Sequence, residues 1–178
     1  MHIINCSLNP QSRGRSVYKR ILEDNTDFDG IDLSDYTTPL CNGFEQSAYA
    51  HPDIKTLHDL LLPVRSIVFI TPIYNWDVGA VTKNFIELLG TRYKNEMTGK
   101  VFHKKVIGLI VTASSKSSFL APLGFLNSLM VDFEAFISPK YTLLSKDDFK
   151  EDGSFDMMHI EKTLNYVRLL NKALSQVL

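Results

Sequence analysis

The stretch over residues 66–84 constrains the fold most strongly, because a buried strand passes there directly into a helix. Residues 67–70 form an apolar run of the kind found in strands that are buried on both faces. The strand must stop at Pro72, because proline fixes its own φ and disfavours helix at the preceding residue. Asp77 is then expected to cap a helix over about 78–89 whose apolar side chains share one stripe: Val78, Val81, Phe85, Leu88 and Leu89. In open α/β sheets, ligands bind where a strand's carboxyl end meets such a helix.

The same alternation of strand and helix runs along the whole chain. Strands are predicted over residues 2–6, 30–33, 66–71, 105–112 and 134–138. Helices are predicted over 15–23, 52–62 and 78–89, then one with Phe119, Leu123, Leu126 and Met130 on one face, and a last one with Ile160, Leu164, Val167, Leu170 and Leu174 inward. Five strands interleaved in this way require right-handed crossovers and a parallel sheet between two layers of helices. We expect the strand order 2-1-3-4-5, with the ligand site at the switch between strands 1 and 3.

Length, composition and charge favour one domain over residues 1–178 and exclude several classes of partner. The 178 residues are 44% hydrophobic and 22% charged, which is ordinary for a globular protein. The net charge of −1 gives no electrostatic case for nucleic acid or an acidic membrane surface. No apolar run reaches the ~18 residues of a membrane span, and the chain enters a strand without a signal-peptide pattern, so a cytoplasmic location is expected. Two cysteines and five scattered histidines predict neither disulfides nor a metal site.

The loop after the first strand is rich in hydroxyl, amide and basic side chains. Such groups can bind a phosphate where they converge on a helix N-terminus, whose dipole also favours an anion. The candidates are Ser7, Asn9, Ser12, Arg13, Arg15 and Ser16, with Gly14 allowing close backbone approach. Arg13 and Arg15 point in different directions on a forming helix, so only one of them is expected to reach the phosphate. A solvated turn with a capping serine is the alternative interpretation of this loop.

Three kinds of nucleotide or phosphate site are disfavoured by missing motifs. The chain has no Gly-x-Gly-x-x-Gly, the fingerprint of dinucleotide-binding Rossmann domains, and no Gly-x-x-x-x-Gly-Lys-Ser/Thr of phosphate-binding NTPases. A phosphoaspartate receiver domain shares the predicted fold but needs carboxylates at the end of strand 1. Asn5 and Cys6 stand there instead.

Thr71-Pro-x-Tyr-Asn, followed by Lys83-Asn84, resembles a signature of the NADPH-dependent FMN reductase family. The stretch that begins Ile31-Asp-Leu-Ser-Asp and the serine loop after strand 1 also resemble that family, so the likeness covers nearly the whole chain. It implies a flavodoxin-like three-layer α/β/α sandwich with FMN bound non-covalently. Departures from the family pattern are Cys6 and Trp76 in place of glycine, Gly14 in place of asparagine, and Gly79 in place of proline.

The resemblance also implies which other residues lie beside FMN. The loop along the flavin ring would be Pro72, Ile73, Tyr74, Asn75 and Trp76, since an aromatic or proline beside an amide suits a ring with an apolar face and a polar edge. Ser114, Ser115 and Lys116 take the place of a glycine-rich turn, and Lys116 could stabilise negative charge on the reduced ring. A solvated loop lysine, and a packed or interface role for Trp76, are the alternatives.

The implied activity is that of an FMN-dependent NAD(P)H oxidoreductase. It would transfer a hydride from NAD(P)H to flavin and on to a small acceptor such as a flavin or quinone. A homodimer or homotetramer is expected, with Phe85, Phe119 and Phe125 exposed near the flavin edge. A flavodoxin-type electron carrier is an alternative that the charge of −1 disfavours, since flavodoxins are usually strongly acidic. A flavin-free binding module stays open because serines replace glycines over residues 114–118.

Overall fold

The computed structural model of the protein describes residues 1–90 and 101–176. Its strands are β1 (His2–Asn5), β2 (Asp29–Asp32), β3 (Ser66–Tyr74), β4 (Asp77–Val78), β5 (Val106–Thr112), β6 (Phe136–Ile137) and β7 (Thr142–Leu144). Its helices are α1 (Arg13–Asp24), α2 (Gln46–Tyr49), α3 (Pro52–Leu61), α4 (Ala80–Gly90), α5 (Leu123–Phe133) and α6 (Met158–Leu174). Short 3₁₀ turns span Leu33–Asp35, Lys116–Leu120 and Lys146–Asp148.

The sheet has five positions in the order β2-β1-β3-β5-β6, and β7 extends the last position beside β5. All pairs are parallel except the β3–β4 hairpin. The flavodoxin-like α/β fold is therefore confirmed. The strand order differs in part from the prediction: the five positions follow it, but the described chain has seven strands rather than five, because β4 and β7 add to the sheet. The sequence also predicts a polar segment over residues 91–103, which lies mostly outside the described residues.

Alternate side chains of the central strand β3 point into two separate hydrophobic cores. Ile67 and Phe69 point into one core, whose rings include Phe85, Phe102 and Phe125, while Val68 and Ile70 point into the other. The Phe69 ring centroid lies 6.0 to 6.3 Å from those three rings, within the range of aromatic pair contacts. Burial on both faces explains why β3 reads as a continuous apolar run. None of the helices in the described part of the chain is long and apolar enough to cross a membrane.

The prediction that Asp77 caps a helix is wrong. The predicted stop at Pro72 is wrong as well, because Pro72 pairs with Thr112 inside β3. The chain continues as strand through Tyr74, turns at Asn75 and Trp76, and returns so that Asp77 pairs with Tyr74. Helix α4 begins only at Ala80, where the carbonyl of Gly79 accepts from the amide of Thr82 at 2.8 Å. A hairpin strand of two residues leaves too little alternation in the sequence for a period-2 pattern to reveal it.

The fifth predicted strand, over 134–138, is only the two-residue β6, and the separate strand β7 follows it outside the predicted range. Pro139 lies between them and has no amide hydrogen to donate to β5, so the ladder is interrupted there. The structure resumes pairing when Thr142 reaches Ile110 of β5. A three-residue strand such as β7 is again too short for a periodic signal.

The helix predicted after β5 has a different buried face from the one expected. Pro122 separates the 3₁₀ turn over Lys116–Leu120 from α5, and α5 buries Phe125, Leu126 and Leu129. Phe119, Leu123 and Met130 of the predicted stripe are exposed. The expectation that Phe85 and Phe125 are exposed is likewise wrong, because both rings are in the core.

Candidate functional site

A cleft of about 240 Å³ opens at the carboxyl ends of β1, β3 and β5, where the strand order reverses. Three loops meet there, each following a different strand. The lining residues are Asn9, Gln11, Ser12, Arg13, Pro72, Ile73, Tyr74, Thr112, Ala113 and Ser114. This volume is below the ~300–1,000 Å³ of typical enclosed ligand sites, so a larger ligand would extend across the exposed rim.

One wall of the cleft is the N-terminus of α1. Ser12 is its N-cap, and its Oγ accepts from the amide of Arg15 at 3.1 Å. The amides of Arg13 and Gly14 have no hydrogen-bond partner in residues 1–90 and 101–176, because they are the first two amides of the helix. An anion in the cleft would therefore meet free amides, the hydroxyl hydrogen of Ser12 and the positive end of the helix dipole.

The two arginines of this loop take different positions, as their spacing predicts. Arg13 lines the cleft, with its Cζ 5.7 Å from the centre of the Phe149 ring. Arg15 instead reaches toward β2, where its Nη2 donates to Asp32 Oδ1 at 3.1 Å and to Ser34 Oγ at 2.7 Å. That arrangement makes Arg13 the arginine available to a phosphate.

Gly14 has ordinary surroundings within the protein. A Cβ built on it would lie 3.5 Å from Ile70 and 3.8 Å from Thr112 Oγ1, which are ordinary contacts. The backbone there is an ordinary helical one, with no positive φ. The packing around α1 therefore does not itself require glycine here, and the close approach of this backbone to a phosphate stays a prediction.

The hairpin between β3 and β4 forms the opposite wall. Asn75 has φ 49° and Trp76 has φ 63°, the pair of positive values that a two-residue type I′ turn requires. Such turns favour Asn-Gly. Trp76 therefore has a backbone conformation that is unfavourable for any residue with a Cβ atom. Tyr74 lines the cleft, whereas Asn75 and Trp76 lie at the tip of the hairpin, outside the lining.

The serine loop after β5 divides between the cleft and the surface beyond it. Ser114 lines the cleft, while Ser115 caps the following 3₁₀ turn by accepting from the amide of Ser117 at 3.2 Å. Lys116 points away from the cleft, and its Nζ lies 3.0 Å from Asp148 Oδ1. Although burial opposes it, hydrogen bonds from Ser145 and Lys116 lower the pKa of Asp148, which keeps this partner of Lys116 ionised.

Half of the predicted site residues therefore line the cleft: Asn9, Ser12, Arg13, Pro72, Ile73, Tyr74 and Ser114. The structure places the others beside it or away from it: Ser7, Arg15, Ser16, Asn75, Trp76, Ser115 and Lys116. Gln11, Thr112 and Ala113 line the cleft and were missed. Their positions, next to the serines after β1 and at the end of β5, follow from the carboxyl-end rule alone.

Cys6 directly follows β1 and is buried. Burial raises the pKa of its thiol to about 12, which keeps it protonated at neutral pH. A protonated, inaccessible thiol is a poor nucleophile, so Cys6 is a packing residue.

Comparison with known proteins assigns the chain to a family. The sequence model of the NADPH-dependent FMN reductase family matches residues 1–149. The chain belongs to this family. A relative named NAD(P)H-dependent FAD/FMN reductase, from Geobacillus thermodenitrificans (strain NG80-2), is 26% identical over 133 residues. That match covers 75% of this chain and 66% of the relative, slightly less than two thirds of the relative's own length.

Solved structures of low sequence identity share the fold of this chain. The flavoenzyme NAD(P)H:(acceptor) oxidoreductase FerB from Paracoccus denitrificans is similar with a TM-score of 0.65 at 19% identity, over 97% of this chain and 92% of that one. The NADH:FMN oxidoreductase EMOB is similar with a TM-score of 0.65 at 12% identity, over 97% and 88% of the two chains. The azoreductase from Bacillus anthracis str. Sterne is similar with a TM-score of 0.57 at 15% identity, over 99% and 96%.

Proposed function

We propose that this protein binds FMN non-covalently in the cleft and acts as an NAD(P)H-dependent oxidoreductase. The observation that carries the proposal is the meeting of free α1 amides, Ser12 and Arg13 with the Pro72–Tyr74 wall at the switch point of the sheet. Family membership and the fold support it, because the match to the family model covers the loops that form this cleft.

The phosphate of FMN fits the donor set at the start of α1. Ser12 Oγ accepts one hydrogen bond from Arg15, which leaves its own hydroxyl hydrogen free to donate to a phosphate oxygen. The Arg13 and Gly14 amides can donate two more, and the Arg13 guanidinium supplies positive charge at the same wall. A single phosphate would be satisfied by this set, which favours FMN over a dinucleotide flavin.

The rest of the cleft suits a flat ring with a polar edge. Pro72 and Tyr74 offer apolar surface, and the backbone amide of Ser114 has no partner among the described residues, so it can donate to a carbonyl at the ring edge. FMN, when bound, supplies the hydride chemistry, so the side chains need only bind, orient and shield it. A small acceptor such as a flavin or quinone would then approach from the open rim.

We also propose that the working protein is a homodimer or homotetramer. The loops around the cleft carry apolar side chains that are about half exposed or more: Leu8, Tyr74, Trp76 and Leu120. A second copy packed against this rim would bury them and complete a cleft that is small for FMN. Sedimentation at micromolar concentration should give a multiple of 20.2 kDa, and a monomer would contradict the assembly without affecting the cofactor proposal.

The decisive experiment for the function is to identify the bound flavin and then test its reduction. Flavin released from the protein, or bound after reconstitution, should chromatograph as FMN in stoichiometric amount. NADPH or NADH should bleach the bound flavin anaerobically, and a quinone should restore its colour. A flavin that stays oxidised under excess NAD(P)H but takes electrons from dithionite would support the electron carrier instead. Recovery of no flavin would support the binding module.

A further inference from the structure

A second cavity, of about 430 Å³, lies beyond the edge strand β7 and is not used by the proposed flavin chemistry. Its walls come from the 3₁₀ turn after β5, the segment leading into β7, and the first turns of α6. The side chains that matter here are Lys116, Phe119, Lys140, Tyr141, Asp148 and Lys162. The volume falls within the ~300–1,000 Å³ of small-molecule sites.

The cavity concentrates positive charge in a chain whose net charge is −1. Three lysines and one aspartate line it, so two positive charges are in excess when the lining His159 is neutral. Lys116 is paired with Asp148, whereas no carboxylate lies within ion-pair distance of Lys140 or Lys162 among residues 1–90 and 101–176. A phosphate monoester carries nearly two negative charges at neutral pH and would match this excess.

A pair of stacked aromatic rings lines the cavity together with the lysines. The rings of Phe119 and Tyr141 are stacked, with centroids 5.0 Å apart and planes at 22°. The Tyr141 hydroxyl donates to the carbonyl of Phe119, which fixes the pair in place. Phe119 remains 52% exposed, so it can still accept a planar ring. Stacking of a nucleobase on such a ring is a common mode of base binding.

Hydrogen bonds between β7 and α6 form the floor of the cavity and fix the positions of the backbone that carries the lysines. Thr142 of β7 and Thr163 of α6 are both buried, and their hydroxyl oxygens lie 2.8 Å apart. Thr142 Oγ1 also donates to the carbonyl of His159 at 2.8 Å. These bonds hold the first turns of α6, which carry Lys162, against the strand that follows Lys140. Binding groups on fixed elements lose less entropy when a ligand arrives.

The cavity and the cleft are built from neighbouring residues. Ser114 lines the cleft, and Lys116, two residues later, lines the cavity. On the other side, Arg13 of the cleft stacks on Phe149, which directly follows Asp148 of the cavity. An extended ligand with one end over the cleft could therefore reach the cavity with its other end.

We propose that this cavity binds the adenosine 2′-phosphate end of NADPH, with the phosphate between Lys140 and Lys162 and the adenine against Phe119. The inference deepens the proposed function, on which it rests for placing the nicotinamide over the cleft. It makes the protein select NADPH over NADH, because NADH lacks the phosphate that the unpaired lysines require.

Calorimetric titration of the protein as purified with 2′,5′-ADP tests the site without turnover. We expect 2′,5′-ADP to bind at least about tenfold more tightly than 5′-ADP, the loss typical of one charged hydrogen bond or more. The double variant Lys140→Gln/Lys162→Gln should lose this preference while keeping its affinity for 5′-ADP. Lys146→Gln, an exposed lysine outside the cavity, should behave as the parent.

Equal binding of 2′,5′-ADP and 5′-ADP would overturn the proposal, as would an unchanged preference in the double variant. Inorganic phosphate that competes as strongly as 2′,5′-ADP would also overturn it, because adenine would then add nothing. The outcomes separate this site from the proposed function. A flavin reductase that uses NADH and NADPH equally and ignores 2′,5′-ADP loses the site but keeps the function. A protein without flavin that binds 2′,5′-ADP through these lysines keeps the site alone.

Discussion

At the amino-terminal edge of the sheet, the buried ammonium of Lys105 donates to the carbonyls of Leu61 and Leu62, at 2.9 and 2.7 Å, and to that of Val64. At the carboxyl edge, the amides of Arg13 and Gly14 donate to nothing in the described residues. At both edges, backbone groups at a helix end lack a backbone partner. At the amino-terminal edge a side chain of the protein, Lys105, binds them, whereas at the carboxyl edge no group of the described residues does.

On the function proposed above, this difference separates groups that stabilise the fold from groups that would bind the ligand. A buried polar group without a partner costs free energy, so natural structures keep few of them. The carboxyl edge keeps free amides, a positive-φ tryptophan and exposed aromatic side chains within one small region. We expect substitutions at the amino edge to change the free energy of unfolding, and substitutions at the carboxyl edge to change ligand affinity.

The largest expected effect on stability is at Lys105. Lys105→Met keeps the length of the side chain but removes the donor to three carbonyls at the end of α3, at a cost of about 2–4 kcal/mol in the free energy of unfolding. Lys104→Met is the matched control. The Lys104 ammonium is exposed and lies 3.9 Å from Glu134 Oε2, which is a long and weak ion pair, so the substitution should cost less than about 0.5 kcal/mol. Urea unfolding followed by circular dichroism measures both. Similar values for the two variants would remove the contrast between the edges.

The next effect concerns the charge at the start of α1. Ser12→Asp and Ser12→Asn both keep a good N-cap, but only aspartate adds a negative charge where we place the phosphate. We expect Ser12→Asp to weaken FMN binding by at least about tenfold relative to Ser12→Asn through like-charge repulsion. Riboflavin, which lacks the phosphate, should bind both variants alike. Equal FMN affinity of the two variants, measured by fluorescence titration, would place the phosphate elsewhere.

A smaller effect is expected at Trp76, where the carboxyl edge carries backbone strain. Trp76→Gly relieves the positive φ, whereas Trp76→Ala removes the same indole but keeps the Cβ that disfavours it. The glycine variant should therefore be more stable than the alanine variant by about 1 kcal/mol in urea unfolding. If alanine is as stable as glycine, the hairpin carries no strain at this position.

The last expected effect is a pH dependence that Lys105 adds to stability at alkaline pH. Burial lowers the pKa of Lys105 from its ordinary 10.5 to about 8. Between those values the unfolded chain binds the proton and the folded protein does not, so this contribution to stability rises with pH and is lost as pH falls through about 8. The stability of the parent protein relative to Lys105→Met should therefore increase from about pH 8 to about pH 10. A constant difference would contradict the lowered pKa.

Much of the fold could be predicted from the sequence because its central strands are buried on both faces. The apolar runs of β3 and β5 leave no other interpretation, and their helices follow from 3.6-residue periodicity. The hairpin at Asn75 and the division of the edge strand at Pro139 could not be predicted in this way. Both depend on pairing over two or three residues, which tertiary contacts decide and local patterns do not encode.

The candidate site could be predicted at the level of loops but not of side-chain directions. The carboxyl-end rule selects the three loops, and the structure brings all three to one cleft. The rule does not predict that the side chain of Arg15 contacts Asp32 or that the side chain of Lys116 contacts Asp148. Those directions depend on carboxylates 17 and 32 residues away in sequence, which meet the cations only after the chain has folded.

The division of the last sheet position into β6 and β7 has a consequence for how copies of the protein can associate. A long, regular outer strand invites edge-to-edge pairing with another chain and is a route to aggregation. Here β6 has two residues, β7 has three, and Pro139 between them offers no amide hydrogen. The opposite outer strand, β2, has four residues and begins and ends with aspartate. Neither outer strand is suited to long, continuous hydrogen bonding with a strand of another chain. Copies of the protein are therefore expected to associate through loops and helix surfaces.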